Sequence, residues 1–205
     1  MDFSTFLYFL VTSMLLTIAP GPDILYLLTK SLAEGAKSGI ILACGLVSGI
    51  FFHTMLVMLG VAALIQSSPM ALTLLKYFGA AYLLYLAFGA FKSSGNMKLG
   101  SAGSKSSNLA LYRRGLLMNV LNPKVLLFFL AFLPQFIDTT KDSASLQIAL
   151  LGLTFALQAL VIFSFVSICA GRLRKFILSN NNIGRYFAIL EGTVLTIIAL
   201  ALVIS

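Results

Sequence analysis

Apolar residues run along this chain in six long stretches, parted by short polar segments. They cover Phe3 to about Leu32, Ser38 to Ile65, Met70 to Phe91, Leu111 to Leu133, Ser145 to Ala170 and Ile183 to Ile204. A helix needs about 20 apolar residues to cross a bilayer, so each stretch reads as one span. Hydrocarbon offers no partner to free N–H or C=O groups, which keeps a span helical. Two stretches depart from that rule. The first carries Ala19-Pro20-Gly21-Pro22-Asp23 and the fourth carries Asn122-Pro123-Lys124. Proline removes a donor and clashes with the preceding turn, and each break also holds an ionisable side chain. Paired broken helices point to a transporter's binding site.

The pattern predicts an all-α integral membrane protein of six transmembrane helices, with helices one and four broken by proline motifs. Three spans per half make the halves two inverted three-helix repeats, a recurring carrier plan. Repeat one covers about 1–91 and repeat two about 111–205. A polar loop over about 92–110 joins them within a single domain spanning 1–205.

Composition agrees. The chain is 60% hydrophobic and 10% charged, where a soluble domain would carry roughly 25% charged residues. Mean hydropathy is +1.02. Met1-Asp2-Phe3 lacks the positive opening of a secretory signal, so the first stretch is expected to be a permanent span. Cys44 and Cys169 fall inside apolar runs and read as small buried hydrophobes.

The net charge of +8 changes the picture through its placement. Lys92, Lys98, Lys105, Arg113 and Arg114 occupy one inter-span region; Arg172, Arg174, Lys175 and Arg185 occupy another, and neither holds an acid. The alternate loops are nearly bare: Gln66-Ser67-Ser68-Pro69, and Lys141 beside Asp138 and Asp142. The positive-inside rule then puts regions 92–114 and 172–185 in the cytoplasm and both termini outside. A re-entrant first segment would move only the N-terminus inside. No nucleic-acid motif or basic helix accompanies the charge, so no nucleic-acid partner is expected.

The residues at the breaks carry the candidate chemistry. Asp23 reads either as the N-cap of a helix starting near Ile24, with Pro22 fixing its first turn, or as a carboxylate for a solute ammonium or a proton. Asn122 can cap backbone or bind ligand. Lys124 can take a solute carboxylate, neutralise Asp23, or snorkel to an interface. At about 1.5 Å per residue, Lys124 and Asp23 lie at similar depths, roughly 10–15 Å from the cytoplasmic end. Pro20, Gly21, Pro22 and Pro123 would shape the site between them.

Other polar residues are set deep in spans. Gly45, Gly49 and His53 share one helix face; the glycines read as packing positions, and that face would also suit a homodimer. His53 is either a hydrogen-bonded interface residue or a proton relay. Glu191 reads as an ion-binding carboxylate or as the partner of Arg185. Asn119 and Gln158 read as polar lining. The aromatic side chains read as lipid-facing bulk rather than a ligand box. One histidine and no paired-cysteine spacing give no metal site, and neither a cofactor nor an enzyme activity is expected.

Residue patterns in spans one to four resemble the LysE/RhtB family of bacterial amino-acid exporters. They are the Ala19-Pro20-Gly21-Pro22-Asp23 break, the glycine-spaced Gly45, Gly49, His53 and Gly60, and Gly79-Ala80-Ala81-Tyr82-Leu83. In span four they are Gly115, Asn119, Asn122-Pro123-Lys124, Phe128-Phe129 and Pro134-Gln135-Phe136. Spans five and six match only in hydropathy. The resemblance implies a secondary transporter in the bacterial inner membrane that exports amino acids or close derivatives, coupled to the proton gradient. The alternative is a carrier for another small polar solute or a metal ion. The shared motifs do not choose among amino acids, and they assign nothing to Glu191.

Overall fold

The computed structural model describes residues 2–67, 69–93, 106–138, 143–179 and 182–204. Lys98, Lys105, Lys141 and Asp142, used above to orient the chain, lie outside the described residues. Every element is helical: α1 (Phe3–Ile18), α2 (Pro22–Glu34), α3 (Ala36–Ser67), α4 (Pro69–Lys92), α5 (Asn108–Val120), α6 (Pro123–Leu127), a π turn (Phe128–Phe132), a 3₁₀ turn (Leu133–Phe136), α7 (Ala144–Ser179) and α8 (Ile183–Ile204). Among the described residues, four helices are long and apolar enough to cross a membrane, over Ala36–Gly60, Thr73–Lys92, Ala144–Ala170 and Ile183–Ile204. The remaining two candidates are bent pairs: α1 and α2 meet at 58°, and α5 meets the segment from Pro123 at 47°. That makes four spans, or up to six if each bent pair is one.

Large apolar side chains cover the outside, among them Leu59 at 76% exposed and Phe165 at 67%. Water-facing proteins rarely leave contiguous apolar surface of this kind, so lipid is the solvent that fits. Inside, α3 packs along α5 and α7, α4 pairs with α8, and α1 and α2 lean on α7. Glycine sets the closest approach. A Cβ on Gly45 would strike the Tyr112 carbonyl of α5, and one on Gly115 would strike the Leu42 carbonyl of α3. The Gly45–Gly49 face is therefore filled within the chain. It is not the free homodimer surface that the spacing allowed.

The aromatic residues also differ from expectation. Many do face outward, but Phe9, Phe128, Phe129, Phe132 and Phe136 are buried. Phe128 stacks on Phe132 with centroids 4.9 Å apart, and Phe9 meets Phe136 edge-on at 5.2 Å. The π turn carries three of these rings, Phe128, Phe129 and Phe132. Pro134 has no N–H to continue the ladder; upstream, the Leu133 N–H reaches back to the Phe128 carbonyl, five residues away. The Gln135 side chain donates to the Ala131 carbonyl at 2.9 Å.

The largest boundary shift falls at charged residues. Apolar content ends near Ala170, but α7 runs on to Ser179. A helix that has left hydrocarbon can continue in water, and hydropathy does not mark where it stops.

Candidate functional site

Each proline break frees backbone carbonyls, and each set is recovered by a side chain from a distant element. Pro20 cannot supply the N–H that the Leu16 carbonyl would receive in an unbroken helix. Lys124 fills that place: its Nζ donates to the Leu16 carbonyl at 3.2 Å and to the Ala19 carbonyl at 3.0 Å. The ammonium thus sits on the C-terminal end of α1, where the helix dipole favours a cation. Pro123 likewise removes the donor four residues on from the Asn119 carbonyl, which accepts instead from the Asn122 N–H at 2.9 Å. His53, on α3, lies with Nε2 2.9 Å from that carbonyl. A carbonyl only accepts, so Nε2 carries the hydrogen.

The two breaks are joined directly. Asn122 is the N-cap of α6, and its Oδ1 accepts from the Lys124 N–H at 3.0 Å. That fixes the amide so that its Nδ2 donates to Asp23 Oδ2 at 2.6 Å. Asp23 lies in the first turn of α2, with Pro22 ahead of it and Gly21 as the N-cap. The reading of Asp23 as the N-cap is therefore corrected. Gly21 takes that place in extended backbone, and the carboxylate is left free to cross to Asn122. Asp23 and Lys124 are each 8% exposed, Asn122 is 5% and Asn119 is 3%.

These groups surround a small cavity of ≈ 20 Å³, lined by Asp23, Asn119 and Lys124 on its polar side and by Leu16, Ile50 and Phe155 on its apolar side. About 10–15 Å³ suffices for one water. The cavity has no room for a larger solute in this conformation. Asn119 Oδ1 is buried with no hydrogen-bond partner, as are His53 Nδ1 and Gln158 Oε1. Gln158 still ties α7 to α1, donating to Thr17 Oγ1 at 2.9 Å.

Glu191 is placed differently from the sequence reading. Arg185 does not pair with it; the guanidinium donates to the Phe91 and Ser93 carbonyls at 2.6 and 2.8 Å. Glu191 instead stands behind the first break. A Cβ built on Gly21 would be 3.2 Å from Lys124 Nζ and 3.4 Å from Glu191 Oε1. Ammonium and carboxylate thus flank one methyl-sized gap, without an ion pair under 4.0 Å. Glu191 does not line the cavity.

The sequence of the LysE type translocator family matches residues 14–205. The chain belongs to that family. This LysE-type translocator is 33% identical over 182 residues to a membrane protein of Vibrio cholerae serotype O1, covering 88% of each chain. It is 31% identical over 163 residues to proteins named leucine efflux protein in Salmonella choleraesuis and Salmonella typhimurium, covering 77% of this chain and 75% of theirs. No solved structure matches it. Membership makes it a membrane transporter.

Of the residues singled out in the sequence, the structure brings Asp23, Asn119, Asn122, Lys124 and His53 together in one candidate site. Gly45 and Gly49 only pack, Gly49 against the Asn119 side chain. Ile50, Phe155 and Thr17 were not singled out in the sequence. Ile50 lies one residue from Gly49 and three from His53, the one spacing that marked its face.

Proposed function

We propose that this protein is a secondary transporter that exports neutral, aliphatic amino acids across the bacterial inner membrane, driven by the proton gradient. The observation that carries the reading is the junction of the two breaks, where Asn122 bridges to Asp23 beside Lys124. A buried carboxylate beside a buried ammonium offers one partner to each end of a zwitterion. The solute ammonium goes to the remaining Asp23 oxygen and to Asn119 Oδ1; its carboxylate goes to Lys124. Leu16, Ile50 and Phe155 take an aliphatic side chain and leave a charged one unpaired. The relatives named leucine efflux protein agree with this preference.

The reading includes six spans in two inverted repeats. Packing is compatible with it: the helices equivalent under such a repeat, α3 with α7 and α4 with α8, pack on one another, and α3 also packs along α5. The basic regions face the cytoplasm, and the protein works without a cofactor.

The cavity, too small for the solute here, then lies between two gates. On the cytoplasmic side, the Lys30–Glu34 ion pair of 2.6 Å is tied to Ser106 at the start of α5, and Arg114 lies 4.4 Å over the Tyr26 ring. On the other side, Tyr8 and Phe9 of α1 close against Phe132 and Phe136. Transport rocks one repeat against the other and opens each gate in turn.

The test is release of free amino acids from cells loaded with dipeptides, comparing wild type, Asp23→Asn and empty vector. Faster leucine release by wild type than by empty vector is expected, and its loss in Asp23→Asn with the protein still in the membrane. Equal release in all three would sink the reading.

A further inference from the structure

We infer that Glu191 is the site that binds the coupling proton and that it acts through Lys124; this rests on the exporter reading above. A third charged group in the interior of a membrane protein is costly to keep. Asp23 and Lys124 already oppose one another across the junction, so Glu191 brings a net negative charge that the solute site does not need. It makes no hydrogen bond or ion pair with any described residue, is half-buried, and stands off the solute cavity. Its one close charged neighbour is the ammonium that holds the end of α1.

That placement links protonation to the break. Ionised Glu191 competes with the Leu16 and Ala19 carbonyls for the Lys124 ammonium. Across the methyl-sized gap at Gly21, Lys124 reaches either set by rotating its side chain. Moving to Glu191 leaves the α1 carbonyls bare and loosens the first break. A proton on Glu191 removes the competitor and returns Lys124 to the carbonyls, the arrangement seen here. One proton is taken up by the carboxylate on one side of the membrane and released on the other as the break alternates.

The groups that face Glu191 electrostatically are Lys124 and Asp23. On α4, packed along α8, the ionisable side chains are Lys76, Tyr77, Tyr82, Tyr85 and Lys92; neither lysine comes within 4.0 Å of Glu191. On α1 only Tyr8 is ionisable, and it lies among Phe132 and Phe136. Lys124 is thus the group through which Glu191 speaks to the cavity.

The test uses the full chain in proteoliposomes with radiolabelled leucine and an internal pH dye, comparing wild type, Glu191→Gln and Glu191→Asp. Wild type should exchange leucine for leucine, speed its net movement under an imposed pH gradient, and carry protons with leucine. Glu191→Gln should keep exchange but lose both the gradient stimulation and the leucine-evoked proton signal; Glu191→Asp should restore them. A proton signal that survives Glu191→Gln would overturn the assignment. So would loss of exchange in correctly inserted Glu191→Gln, since Glu191 would then belong to the solute site or the fold. Wild type alone decides if the variants fail to insert: exchange without any proton signal removes proton coupling and leaves the exporter standing. Absence of leucine exchange in wild type removes the exporter reading itself.

Discussion

Pro20 and Pro123 each delete one backbone donor, and the residues that matter most are those that replace it. Lys124 replaces the first and His53 the second. Removing Lys124 leaves the Leu16 and Ala19 carbonyls unfilled, at about 1–3 kcal/mol apiece, whereas the Asn119 carbonyl keeps the Asn122 N–H when His53 is removed. Lys124→Met should therefore lower the thermal unfolding midpoint in detergent and abolish leucine export. A midpoint equal to wild type would mean the carbonyls have another donor. His53→Leu should destabilise less, since the Asn122 N–H still fills that carbonyl, whereas His53→Gln keeps an N–H that can reach the Asn119 carbonyl. Export retained in Gln and lost in Leu would make His53 a backbone prop; export lost in both, with both folded, would restore the proton-relay reading.

The helices were legible wherever local chemistry decides. α8 runs over Ile183–Ile204 as the hydropathy indicated, and both breaks fall at their prolines. What the sequence withheld were partnerships across more than a hundred residues. Lys124 is drawn to carbonyls of α1 rather than directly to Asp23, because Asn122 already takes the near carboxylate oxygen. Nothing local in Asn122-Pro123-Lys124 says so. The π turn was hidden likewise, since Pro134 could have ended the helix instead of widening it. Close packing at this scale gives a further prediction. Gly115→Val should push α5 off α3, costing on the order of 1–3 kcal/mol or more. It should also cut export, because Asn119 and Asn122 ride on the same segment. Normal export by a Gly115→Val variant of unchanged melting temperature would show that this contact does not position the site.

For the whole molecule, the apolar exterior, the two bent pairs and the central polar junction form one design. Helices that must stay satisfied in lipid are interrupted only where another part of the chain repairs the interruption. The proposed orientation rests on the basic regions and predicts that a periplasmic reporter enzyme fused after Ser205 is active and a cytoplasmic fluorescent reporter dark; the reverse pattern would invert the assignment. The central claim is that the junction of the breaks binds the solute. Asp23→Asn tests it well, because an amide oxygen at that place can still accept from Asn122 and keep the breaks joined while the charge is lost. The measurement is counterflow of labelled leucine into leucine-loaded proteoliposomes. Saturable counterflow by wild type, absent in Asp23→Asn of equal thermal stability, is the predicted result. Equal counterflow by both proteins would contradict the account, leaving Asp23 a structural bridge and placing the solute elsewhere.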